Sequence, residues 1–167
     1  MKVRKLVFLA LLVALALAVS LLESMIPVPI GVPGAKLGLS NIVLLVTLVL
    51  FGFREAFLVA VLKSLLLMLA TGSVTSFFYS LSGAICASVA MGITHRFFAP
   101  PFSLVGVSEW GAFFHNMGQL LVACVVLGNV NIFLYLPVLT LLGVATGFFV
   151  GLSADLVSGH LNRVIQF

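Results

Sequence analysis

Charge is what this chain has least of. Lys and Arg total 8 and Asp and Glu total 4, so 7% of the 167 residues are charged while 63% are hydrophobic. A soluble domain carries roughly a quarter charged residues, so this chain cannot clothe a water-facing surface. Asp155 is the sole aspartate, which excludes the paired-aspartate motifs that hold magnesium on a diphosphate substrate. The histidines are dispersed, and no Cys/His/Asp/Glu group has metal-ligand spacing. There is no P-loop for a nucleotide and no basic run interleaved with aromatics for a nucleic acid. Cys86 and Cys124 both lie inside apolar runs, where free thiols serve as small core residues. The expectation is a non-enzyme with no catalytic residue, metal or cofactor.

What is present is long apolar sequence. Six runs stand out, at about 6–24, 38–53, 56–71, 76–94, 110–128 and 132–155. Most approach the roughly 20 residues a helix needs to cross hydrocarbon, the second and third falling short. They are continuous rather than alternating, which favours helices over barrel strands. The expected fold is an all-α integral membrane protein, with six transmembrane helices in one bundle and residues 1–167 as a single domain. The N-terminal KVRK and the apolar run to Leu22 resemble a secretory signal, but that run exceeds the roughly 7–15 residues of a signal core. The first helix is expected to be retained. With the N terminus inside, Lys2, Arg4, Lys5, Arg54, Arg96 and Arg163 fall on one side and Lys36 alone on the other. The positive-inside rule then puts both termini in the cytoplasm and the protein in the cell's inner membrane.

Against this apolar background the polar residues carry the information. Glu23 to Asn41 reads ESMIPVPIGVPGAKLGLSN. Pro27, Pro29 and Pro33 forbid a regular helix there. Glu23, Lys36 and Asn41 set polar groups between two apolar runs. The stretch reads as a cap over a small-molecule site, or as a plain connector. Lys63 lies nine residues beyond Arg54, roughly 13 Å into the membrane. It either snorkels to the interface or pairs with an anion, a carboxylate or a ligand. In FFHNMGQLL, His115 and Gln119 share a helix face, with Asn116 three before Gln119. They read as the floor of a ligand site, or as interhelical ties. Tyr79, with Phe77 and Phe78, sits where an aromatic belt is expected, or else stacks on a ligand. Ala10, Ala14 and Ala18 form a small-residue stripe on the first helix, with Ala16 beside them, and Gly143, Gly147 and Gly151 form another on the last. Such stripes let helices approach closely. The glycines are assigned to packing within the bundle, and the alanines equally to a separate subunit or to the chain itself.

The runs ESMIPVPIGVPGAKLGLSNIVLL, LFGFREAFLVAVLKSLL, FSLVGVSEWGAFFHNMGQLLVA and LPVLTLLGVATGFFVGL resemble the bacterial "Gx transporter" family. That family is also labelled heptaprenyl diphosphate synthase component I. The resemblance covers nearly the whole chain, and PGAKLGLxN and HNxGQ are its specific parts. Members usually have arginine where this chain has Lys63, so charge is kept but a planar fork is lost. Members look similar to the six-helix S components of energy-coupling factor (ECF) transporters, in which an AxxxA stripe on the first helix meets the transmembrane coupling subunit. The resemblance implies capture of a small, anionic or polar, vitamin-like molecule by Glu23, Lys36, Asn41, Lys63, Tyr79, His115, Asn116 and Gln119. Ala10, Ala14 and Ala18 would meet a coupling subunit that works with ATPase subunits. The alternative it implies is a non-catalytic accessory in polyprenyl diphosphate or quinone synthesis, or in flavin- and quinone-linked electron transfer.

Overall fold

Glycine and short capping residues decide where each apolar run becomes a helix. In the computed structural model, which describes residues 2–26, 36–98 and 102–164, six α-helices follow one another: α1 Lys2–Ser24, α2 Asn41–Phe51, α3 Phe53–Thr71, α4 Val74–Phe98, α5 Leu104–Leu127 and α6 Leu136–Val164. A 3₁₀ turn, Val130–Tyr135, precedes α6. Gly52 splits α2 from α3 with φ 97° and ψ 179°, a conformation essentially closed to any residue with a side chain. Ser103 caps α5 by accepting a hydrogen bond from the Gly106 N–H at 3.3 Å. Pro137 sits in the first turn of α6, where its missing N–H is harmless.

The result is an all-helical membrane protein, as the apolar runs imply. Helices α1, α4, α5 and α6 are long and apolar enough to cross a bilayer. Helix α2 differs from the expected span. It has 11 residues, about 16 Å at the usual rise, against a hydrocarbon thickness of about 30 Å. Its sequence, NIVLLVTLVLF, is apolar all round, and such a helix is stable only when surrounded. Accordingly every residue from Val43 to Leu48 is buried, and α2 touches all five other helices. Helix α3 has the length of a span but carries Arg54, Glu55 and Lys63.

Around α2 the other helices form an arc in the order α1, α3, α4, α5, α6. Among the described residues α1 and α6 do not touch. Instead a groove of about 260 Å³, lined by residues including Leu11, Leu15, Val46 and Val157, runs between them over the buried α2. The glycine stripe of α6 faces α5, as assigned. A Cβ on Gly151 would stand 2.5 Å from the Val105 Cα, and one on Gly147 would stand 3.2 Å from the Ala112 Cβ. The alanine stripe of α1 points the other way. Ala10, Ala14 and Ala18 are exposed, while Ala16 is fully buried in the core. Cys86 and Cys124 are free and partly buried.

Candidate functional site

One set of polar residues points inward and meets. Glu23, Lys36, Asn41, Lys63, His115, Asn116 and Gln119 are all buried, with Lys63 at 1% exposure. They come from α1, the segment before α2, α2 itself, α3 and α5. The snorkelling reading of Lys63 is overturned: its ammonium donates to Ser40 Oγ at 2.9 Å inside the bundle.

Residues 36–40 are the piece that gathers the rest. This short non-helical segment, which ends in a turn, is buried in the bundle and tied to the helices around it. The Lys36 N–H donates to Gln119 Oε1 of α5 at 3.1 Å. Its ammonium donates to Ser24 Oγ at 2.6 Å and to the Ser20 carbonyl at 3.2 Å, both on α1. Burial pulls the Lys36 amine below its ordinary pKa, and the nearby Glu23 carboxylate opposes that shift. Glu23 Oε1 accepts from the backbone N–H groups of Gly38 and Leu39. The Leu37 carbonyl accepts from Thr146 Oγ1 of α6 at 3.3 Å.

Gly38 is the pivot. Its φ is +82°, and a Cβ there would lie 2.9 Å from Asn41 Nδ2 and 3.1 Å from His115 Cδ2. Only glycine meets both the backbone and the space requirement. A second close approach, on α4, seats the His115 ring: a Cβ on Gly83 would lie 2.7 Å from His115 Cε1. The imidazole tautomer follows from the hydrogen bonds. Gln119 Oε1 is engaged by a donor, the Lys36 N–H, so Gln119 Nε2 faces His115 Nε2, 2.9 Å away. An amide nitrogen can only donate, so His115 Nε2 accepts and the ring proton sits on Nδ1, toward Gly83.

The network is incomplete as it stands. Among the described residues of this cluster Glu23 Oε2, Asn41 Oδ1, Ser20 Oγ and His115 Nδ1 are buried without a hydrogen-bond partner. The Lys63 ammonium has one described partner, fewer than it can serve. Its charge lies within electrostatic reach of both Glu23 and Lys36. Buried polar atoms left in this state are costly.

Two of the residues expected at the site do other work. Asn116 donates from Nδ2 to the Leu139 carbonyl at 2.8 Å, so it ties α5 to α6. Tyr79 packs in an apolar cluster with Leu120, Ala123, Ile132 and Leu139. Pro27, Pro29 and Pro33, and with them the expected cap, lie outside the described residues. Sequence reasoning missed Ser20, Ser24 and Ser40, and also the Ser64–Ser80 hydroxyl pair at 3.0 Å between α3 and α4. One signal was available: Ala16, Ser20 and Glu23 share a helix face, and that face is the buried one.

Residues 12–157 match the family model described as heptaprenyl diphosphate synthase component I. A search of curated proteins and a search of solved structures each returned no match.

Proposed function

This chain belongs to the heptaprenyl diphosphate synthase component I family, and from that premise we propose that it is a non-catalytic subunit of the inner membrane. It captures a small polar or anionic, vitamin-like molecule, in the manner of an ECF S component. One observation carries this reading: a charged, hydrogen-bonded cluster buried at the centre of an apolar bundle, with acceptors left open. Charges are stranded in a membrane protein at a cost, and they persist where they meet a partner or a ligand. Glu23, Lys36, Asn41, Lys63, His115 and Gln119 form this cluster, the proposed ligand chamber.

The outward face of α1 supports a partner. Ala10, Ala14 and Ala18 are exposed beside the uncovered seam between α1 and α6, and a smooth small-residue face admits a second helix closely. The partner would be a coupling subunit with its ATPases. The positions of Arg4, Lys5, Arg54, Arg96 and Arg163 favour cytoplasmic termini, since these residues sit where α1 starts, α3 starts, α4 ends and α6 ends.

The family's description favours a second reading, an accessory role in polyprenyl diphosphate or quinone synthesis or in flavin- and quinone-linked electron transfer. Native mass spectrometry of the full chain, extracted gently from its own membrane, separates the two. Capture requires a retained small molecule that Lys63→Ala and Gln119→Ala both lose. Ala14→Leu should abolish co-purification of the partner and leave the ligand in place. If Lys63→Ala lowers prenyl or quinone production while uptake is normal, the accessory reading stands instead.

A further inference from the structure

The open valences of the chamber restrict what it can hold. Two ammoniums, Lys36 and Lys63, are buried against one carboxylate, Glu23. His115 adds no charge, because its Nε2 accepts from Gln119. The chamber therefore has one positive charge in excess, in a setting where an unbalanced charge is costly. The two sides of the imbalance are chemically distinct. Lys63 offers unused N–H donors, and the neutral His115 ring offers one more at Nδ1. Glu23 Oε2, Asn41 Oδ1 and Ser20 Oγ offer unused acceptor capacity.

We infer that the chamber selects a small monoanion, a carboxylate that also carries a neutral N–H or O–H donor edge. This rests on the capture reading above and narrows it. The carboxylate lies against Lys63 and cancels the excess charge. The donor edge meets Glu23 Oε2 and Asn41 Oδ1, which a plain fatty acid or an inorganic anion would leave unpaired. A phosphate monoester carries nearly two charges at neutral pH, so it overcompensates and meets Glu23 as a like charge. A neutral amide leaves the excess in place.

The same count gives a switch. In Glu23→Gln the side-chain oxygen can still accept from the Gly38 and Leu39 N–H groups, while the chamber's excess rises from one positive charge to two. That variant should exchange preference from carboxylates to phosphate monoesters.

The test uses the full chain in nanodiscs and a probe panel of heteroaromatic N–H scaffolds (indole, uracil and imidazolone). Each scaffold is offered as its carboxylate, its carboxamide and its phosphate monoester, with binding read by thermal shift and by native mass spectrometry. The expected result is that at least one carboxylate binds about tenfold or more tightly than its two counterparts, the scale of a charge-assisted hydrogen bond. Glu23→Gln should reverse the carboxylate–phosphate order, and Lys63→Met should abolish it. Lys63→Arg, which keeps the charge, shows whether loss in the methionine variant reflects charge or folding. If phosphate monoesters or amides win on the native chain, the monoanion assignment is wrong although capture survives. If no probe binds and no small molecule co-purifies, both fail. If Glu23→Gln stays folded and keeps the native order, charge balance does not set the selectivity.

Discussion

Replacing Gly38 by alanine tests whether the 36–40 segment organises the chamber. Three effects act together. At φ +82° an alanine incurs the left-handed penalty of about 1–2 kcal/mol. Its Cβ would stand 2.9 Å from Asn41 Nδ2 and 3.1 Å from His115 Cδ2. Both neighbours are buried, with little room to retreat, and overpacking of this kind costs about 1–3 kcal/mol. Movement of the segment would also stretch the bonds from the Gly38 and Leu39 N–H groups to Glu23, each worth about 1.5–3 kcal/mol when the acceptor is charged. Steric relief and hydrogen-bond loss are alternatives along one displacement, so the terms do not sum, and about 2–5 kcal/mol is expected. Gly72→Ala supplies the control. Gly72 also has positive φ, at +67°, but a Cβ there meets nothing within 4 Å, so it isolates the backbone penalty. Unfolding of the two variants in detergent, followed by far-ultraviolet circular dichroism, should show Gly38→Ala at least twice as destabilised as Gly72→Ala. Equal losses would refute the role given to Gly38, because contact with Asn41 and His115 would then carry no weight.

The same unfolding assay checks three further expectations. Gly151→Ala forces a Cβ to 2.5 Å from the Val105 Cα and should cost about 1–3 kcal/mol, whereas Gly159→Ala meets nothing and should be neutral or stabilising by up to about 1 kcal/mol. Gln119→Leu orphans the Lys36 N–H and His115 Nε2 and should cost about 2–6 kcal/mol, at roughly 1–3 per buried unpaired group. Glu55→Gln removes the Lys5–Glu55 ion pair, whose side chains are 41% and 24% exposed. Its cost should stay below about 1 kcal/mol and shrink further in high salt.

Much of the architecture was legible in one dimension because the bilayer imposes its own length and polarity. Continuous apolar runs announce helices, and the rare charges announce an interior, whatever the fold. Lys63, His115 and Gln119 stood out for that reason. The short length of α2 was harder to see, since an apolar connector wrapped by five helices reads like a span. It was Gly38 and Gly52, each at positive φ, that trimmed its ends. Ser40 could not have been picked as the partner of Lys63, because a single serine 23 residues away carries no periodic signal. Tyr79 and Asn116 show the opposite error. Both are polar-capable residues at plausible depth, yet one packs among leucines and the other bridges α5 to α6.

The amino-acid order by itself determined that this is a helical membrane protein with a handful of buried polar groups, because transfer into hydrocarbon penalises each residue independently of its neighbours. The tertiary structure decided which of those groups meet. Hydrogen-bond partnership depends on separations of a few tenths of an ångström between helices distant in sequence, and nothing along a single strand encodes that distance. It also decided which face of α1 looks outward. Residues two apart on a helix point nearly opposite ways, so Ala16 went to the core and Ala10, Ala14 and Ala18 to the surface.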